Sequence, residues 1–129
     1  MRFVYWYAAT DPPAPFALAI LANPSDAGLP TADIAAKVDS GADRTIVPVG
    51  VAVRLGLVEA ERLTFAGLGG QPVELPVYRV LLTIRDLPPI VIEAAASDGE
   101  PHVLLGRDVL NRYRVLLDGP KQRMEISDD

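Results

Sequence analysis

The sequence predicts an all-β domain, mainly strands with one or two short helices, closed into a barrel-like core. Short apolar and β-branched runs recur along the chain, separated by clusters of Pro, Gly, Asn, Asp and Ser. Only the stretches after Pro48 and after Gly106 carry apolar residues at helical spacing. At 129 residues, half of them apolar, the chain buries one core and not two. Many short strands with little helix are the pattern of small barrels and sandwiches.

The chain opens on an aromatic run in which Phe3, Tyr5 and Tyr7 share one strand face and Val4 and Trp6 the other. Such a strand needs cover, from the body of the protein or from a second subunit. Asp11-Pro12-Pro13-Ala14-Pro15 is expected to be extended and stiff, because proline fixes its own φ and restricts its predecessor. Residues 1–15 therefore read as a strand plus connector, and residues 16–126 as the core of a single domain spanning 1–129. Phe16–Ala22 and Thr31–Asp39 are strands flanking the turn-rich loop Asn23–Pro30. Pro48 suits the first turn of a short helix to about Leu55, with Val51, Ala52 and Leu55 on its apolar face.

Glu61–Ala66 and Val73–Arg85 read as strands joined through Gly67-Leu68-Gly69-Gly70, a glycine-rich hairpin tip. Leu87-Pro88-Pro89 makes a turn before the strand Ile90–Ala96, and Ser97–Pro101 a loop before His102–Leu105. Arg107–Arg112 is expected to be helical, with Val109, Leu110 and Tyr113 facing the core. Val115–Asp118 and Gln122–Ile126 form a terminal hairpin, and Lys121–Asp129 closes the chain as a polar, acidic tail.

The stretch with the clearest chemistry runs from Ala36 to Pro48. An apolar strand enters a tight turn at Asp39-Ser40-Gly41, and Thr45-Ile46-Val47 leaves it. Asp and Ser bond nearby backbone N–H groups, and Gly41 tolerates close approach, so the turn holds a carboxylate at the mouth of a buried strand. An ordinary Asx-type turn is the competing reading of Asp-Ser-Gly taken alone. Further along comes Val103-Leu104-Leu105-Gly106-Arg107-Asp108.

Together and in this order, Asp39-Ser40-Gly41-Ala42-Asp43 and Leu105-Gly106-Arg107 resemble the retroviral-type (retropepsin-like) aspartic proteases and their cellular and bacterial relatives. The resemblance spans roughly Phe16 to Ile126. It implies an acid-protease barrel with one lobe per chain, Asp39 as the catalytic aspartate, and Ser40 as a hydroxyl bracing the partner's backbone. It further implies that Gly41 approaches substrate and water, Ala42 lines a subsite, and Asp43 accepts substrate N–H bonds while pairing with Arg107 beside Gly106. Gly67, Leu68, Gly69 and Gly70 match the position of the family's flap. The implied protein is an aspartic endopeptidase acting on peptide or protein substrate without a cofactor.

Peptide hydrolysis by water needs a base and an acid, and two carboxylates sharing one proton supply both. The chain holds a single Asp-Ser/Thr-Gly sequence, so the second carboxylate must come from another copy, in a symmetric homodimer. The chain departs from the family in its aromatic N-terminal segment and its tail, since the family's terminal strands interleave between subunits.

Other classes fit less well. A net charge of -5 with scattered basic residues argues against nucleic acid as a partner. No apolar stretch approaches the roughly 20 residues that span a membrane, and a soluble cytoplasmic protein is the expectation. The absence of cysteine and the lone His102 exclude thiolate chemistry and a multi-histidine metal site within one chain. Asp39, Asp43 and Asp108 are conceivable Mg²⁺ ligands, but nothing in their spacing demands it. A non-catalytic peptide-binding or dimerisation module of the same fold, and a regulatory domain contacting a larger assembly through its aromatic strand, are the rival functions.

Overall fold

Strand periodicity and turn chemistry together lay out the architecture in a computed structural model that describes residues 1–26, 28–66 and 70–128. The first half contains β1 (Arg2–Trp6), β2 (Phe16–Ala22), β3 (Ala32–Val38), β4 (Ile46–Pro48) and helix α1 (Val49–Arg54). Then come β5 (Glu59–Ala66), β6 (Pro72–Ile84), β7 (Ile90–Ser97), β8 (Val103–Leu105), helix α2 (Arg107–Leu110), β9 (Arg114–Asp118) and β10 (Arg123–Ser127). The domain is mostly β with two short helices, as the sequence predicts.

Seven strands run in the order β2-β3-β8-β4-β7-β6-β5, and a further pairing of β2 with the end of β6 closes the sheet into a barrel. Closure asks for close-packed inner faces, which β2 supplies by alternation: Ala17, Ala19 and Leu21 are buried between exposed or half-buried neighbours. Ala36, Val80, Leu82, Ile92, Ala94 and Leu105 belong to the same core. Helix α1 adds Val51, Ala52 and Leu55. Its C-terminus is closed by Gly56 at φ 64 and by the Asn23 amide, which donates to the Leu55 and Gly56 carbonyls at 3.2 and 3.0 Å.

The second sheet is small, in the order β1-β10-β9. Tyr5 lies opposite Met124, and Phe3 opposite Ile126; Tyr5, Met124 and Ile126 are buried in the one core cluster. The aromatic face is thus covered by the body of the same chain, while Trp6, on the other face, stays 70% exposed. The expected terminal hairpin is present as β9 and β10, and residues 123–127 are no loose polar tail: they form the central strand of this sheet, because Met124 and Ile126 alternate toward the core. The proline-rich connector is not extended either. Ala8 and Ala14 keep their N–H groups and exchange backbone hydrogen bonds at 2.9 and 3.3 Å, which folds the segment between them into a closed loop. Helix α2 stops at Leu110, two residues short of expectation, because the Arg112 and Tyr113 N–H groups turn to the Val109 and Leu110 carbonyls in tighter i→i+3 bonds. No helix of the described residues is long and apolar enough to cross a membrane.

Burial raises the Tyr5 phenol above its ordinary 10.0, with the Arg85 guanidinium, 4.6 Å from the ring centroid, pulling the other way. A group whose folded value is raised gives stability that is full below its unfolded value and lost as pH climbs through the folded one. The urea midpoint is expected to hold up to pH 10.0 and then fall, and Tyr5→Phe to lessen that fall. A series of unfolding curves between neutral and strongly alkaline pH measures it; an equal fall in both proteins removes Tyr5 as the cause.

Candidate active site

The site follows from strand order. β3 and β8 run parallel, pairing Ala36 with Val103 and Val38 with Leu105, so Asp39 and Gly106 emerge side by side. β4 lies on the other side of β8, with Ile46 opposite Leu104. The chain between Asp39 and Thr45 must therefore arch over the end of β8. Where it crosses, a Cβ on Gly106 would stand 2.6 Å from the Arg44 carbonyl carbon and 2.9 Å from the Thr45 nitrogen. Those are backbone atoms that cannot swing aside, so the position requires glycine although its φ of -88° is ordinary.

Asp39 is half-buried at the start of the arch. Its N–H donates to the Leu105 carbonyl at 3.0 Å, its Oδ1 accepts from the Gly41 N–H at 3.0 Å, and its carbonyl accepts from the Ala42 N–H at 3.1 Å. A Cβ on Gly41 would lie 3.2 Å from that same Oδ1, closer than nine in ten real contacts. The turn thus orients the carboxylate through one backbone donor, the Gly41 N–H, and fixes its backbone at both ends. Ser40 and Gly41 are exposed and Ala42 is half-buried.

Helix α2 ties the arch down. The Arg107 N–H donates to the Ala42 carbonyl at 2.9 Å, its Nη1 donates to the Ser40 carbonyl at 2.8 Å, and its Nη2 meets the Asp43 carboxylate. Asp43 is 86% exposed and Arg107 43%, so solvent screens the ion pair and its worth to stability is small. Its effect is geometric, since one planar guanidinium spans both limbs of the turn.

Sequence reasoning missed the deeper brace. Thr45, fully buried, donates both its N–H and its hydroxyl to Asp108 Oδ1, at 3.0 and 2.7 Å. The Thr45 Oγ1 in turn accepts from the Gly106 N–H at 3.1 Å, and Asp108 Oδ1 also accepts from the Val109 N–H at 3.0 Å. The signal available was a threonine at the first apolar position after the turn and an acid directly after Gly106-Arg107. Neither is informative until the two segments are known to touch. Asp39, Asp43 and Asp108 do not assemble into a metal site: among the described residues no group of three or more His, Asp and Glu is placed to hold an ion.

A cleft of about 660 Å³ opens beside the turn, bounded by Asp43, Arg44, Leu63, Phe65, Val91 and Arg112. Arg44 is held against its wall by donating to the Glu93 carbonyl at 2.8 Å. The opposite wall is the β5–β6 hairpin, in which Leu63 faces Leu75 and Phe65 faces Val73. Of the glycine-rich tip, Gly70 adopts φ 78, the left-handed region. Gly67, Leu68 and Gly69 lie outside the described residues.

A closed barrel of this strand order, with its Asp-Ser-Gly arch over the glycine of Gly-Arg-Asp, is the retropepsin-like single-lobe fold. A retropepsin-like aspartic protease from Rickettsia conorii is similar with a TM-score of 0.65 at 16% identity, covering 98% of this chain and 91% of that one. EIAV protease complexed with the inhibitor HBY-793 is similar with a TM-score of 0.56 at 22% identity, over 76% of this chain and 86% of that one. The retroviral protease-like domain of Ddi1 from Leishmania major matches with a TM-score of 0.56 at 15% identity, over 90% of each chain. No protein-family model matches the sequence, and no curated protein does.

Thr45→Val keeps shape and deletes the hydroxyl, leaving the buried Gly106 N–H without its acceptor. The expected cost is about 1–3 kcal/mol of unfolding free energy. Urea denaturation measures it, and a loss below roughly 0.5 kcal/mol would show that the brace contributes little.

Proposed function

We propose that the protein is an aspartic endopeptidase, active as a homodimer in which each chain contributes Asp39. The observation that carries this reading is the Asp39 turn itself. Asp39 is half-buried, its N–H donates to the Leu105 carbonyl, its Oδ1 accepts from the Gly41 N–H, and the arch it opens continues through Asp43 and Arg44 into the wall of an open cleft. Support also comes from the fold neighbours, of which the Rickettsia conorii protein and EIAV protease are named as proteases.

In this mechanism the two carboxylates share one proton. Like charges at close range do not both ionise cheaply, so one stays protonated while the other accepts a proton from the attacking water. The protonated partner gives its proton to the carbonyl oxygen, and the tetrahedral intermediate collapses as the leaving nitrogen is protonated. Gly41 leaves space for the peptide backbone beside Asp39. Asp43 offers an acceptor to substrate N–H groups, and Arg107 keeps it aimed. Ser40, exposed at the tip, braces the second chain, and the hairpin bearing Gly67, Leu68, Gly69 and Gly70 covers bound peptide as a flap.

Asp39→Asn keeps the size and the bond from Gly41 but removes the titrating carboxylate. Peptide cleavage is expected to fall by a factor of about 10³ or more, with an unchanged unfolding curve. Specific activity of the parent is expected to drop on dilution, and excess Asp39→Asn chain to poison it by forming mixed dimers. The assay is cleavage of a peptide library against concentration, beside sedimentation velocity. Cleavage by the Asn variant at the parent's rate, or constant activity from a monomer, overturns the shared carboxylate pair. A stable dimer that cleaves nothing at any pH leaves the fold as a binding module.

The same reasoning gives a bell-shaped pH profile, since the doubly protonated and doubly ionised pairs are both inactive. Steady-state rates from pH 3 to 9 test it, and a rate still rising at the alkaline end contradicts a carboxylate pair.

A further inference from the structure

The cleft beside the Asp39 turn has a direction. It begins at the arch, with Asp43 and Arg44, and follows α2 as far as Arg112, just past the last helical turn. The Arg107 N–H, bonded to the Ala42 carbonyl, marks where the helix leaves the arch. At about 1.5 Å per residue, Arg112 lies roughly 7–8 Å further along the helix axis. The strands beside it offer apolar surface. Leu63 and Phe65 of β5 are half-buried, and Val91 of β7 is 42% exposed.

The charged groups along this cleft are not equally available to a ligand. Asp43 is paired with Arg107. Asp108 Oδ1 accepts from the Thr45 N–H, the Thr45 hydroxyl and the Val109 N–H. Glu93 stands 3.9 Å from Arg44 Nη1, which also donates to the Glu93 backbone carbonyl. Arg112 differs from all of these. Its Nε donates to the Asp108 carbonyl at 3.2 Å, and that bond fixes the base of the guanidinium. Its terminal nitrogens keep their N–H groups, and among the described residues no acid pairs with them. The side chain is exposed, so the charge is open to what enters the cleft.

We infer that Arg112 is a specificity-determining residue, which selects an acidic side chain of the bound peptide at a distance from the scissile bond. The inference rests on the aspartic endopeptidase reading above, in which substrate N–H groups bond Asp43. From Asp43 an extended chain rises about 3.3 Å per residue, so the carboxylate that reaches Arg112 stands about two residues further from the cut. Successive side chains of an extended chain point to opposite faces. The residue between therefore turns toward the opposite wall, where Leu63 and Phe65 give it apolar contact.

A guanidinium held at one nitrogen and free at the others suits a carboxylate, which it takes through two parallel N–H bonds. Arg44 lies nearer the arch but is committed to Glu93, so it adds less to the choice. In a symmetric dimer the two clefts are related by the two-fold axis, and the same acidic preference falls on both sides of the cut. An exposed pair contributes modestly to affinity, and its effect is a ratio between peptides more than a gain in rate.

That ratio is the test, because a loss of folding or of general activity scales acidic and basic peptides alike. A random peptide library is cleaved and the products are sequenced by mass spectrometry. Asp and Glu are expected to be enriched over Lys and Arg about threefold or more at one position on each side of the cut. Arg112→Glu is expected to reverse the ratio, and Arg112→Gln to bring it near unity. The Gln variant also decides the matter if the Glu variant fails to fold by circular dichroism. A peptide array probed with the Asp39→Asn chain, with and without Arg112→Glu, reads the same ratio as binding. Cleavage that depends on Asp39 but shows no acidic preference, or a preference that both Arg112 variants leave unchanged, overturns the inference and keeps the protease. A chain that cleaves nothing yet binds acidic peptides on the array, with the ratio reversed by Arg112→Glu, keeps the role of Arg112 and removes the protease. No cleavage together with no acidic preference on the array overturns both.

Discussion

Everything at the Asp39 end of the molecule depends on how closely one peptide can lie on another. The arch from Asp39 to Thr45 crosses the end of β8 with no room for a side chain between the Gly106 backbone and the Arg44–Thr45 peptide. That contact sets the height of the turn above the sheet. The hydrogen bonds from Gly106 to Thr45 and from Thr45 to Asp108 then hold the height, because each joins groups already brought into range. Thr45 is secured at its other end as well, its carbonyl accepting from the Ala95 N–H at 3.0 Å. A fully buried residue with its N–H, its carbonyl and its hydroxyl all bonded has no alternative arrangement of similar energy.

Two kinds of interaction divide the labour around the turn. The buried bonds through Thr45 contribute stability, since breaking one strands a polar group away from water. The exposed pair of Arg107 with Asp43 contributes little energy and much direction. Bonding the Ser40 carbonyl and the Asp43 carboxylate with one planar group fixes the two limbs relative to each other. Asp39 is positioned by backbone groups, the Gly41 N–H at its Oδ1 and the Leu105 carbonyl at its N–H.

The sequence made visible what is local. Alternation located β2 at its observed ends, and the break at Asp39-Ser40-Gly41 located the arch. Pro48 and the spacing of Val51, Ala52 and Leu55 located α1. Hidden were the facts that depend on which segments meet. Thr45 and Asp108 are 63 positions apart, and neither has a local pattern that points to the other. The terminal hairpin was legible too, since Gln122–Ile126 reads as its second strand, but its polar residues hid that this strand is central, with β1 paired along its other side. The connector misled because proline restriction says how each residue bends, and the bonds between Ala8 and Ala14 say where the bends lead.

The pairing of β1 with β10 has a consequence for how the molecule assembles. Both strands come from one chain and bury Tyr5, Met124 and Ile126 in the same core as the barrel. Folding of the lobe therefore does not wait for a partner to supply a strand, unlike an arrangement in which terminal strands are exchanged between subunits. Association can then be weak without making the lobe unstable, and the two equilibria separate. For a site that needs a carboxylate from each of two chains, that separation makes local concentration the control on activity. In the mechanism proposed above, the lobe persists folded and inert while dilute, and the complete site forms only where two copies meet.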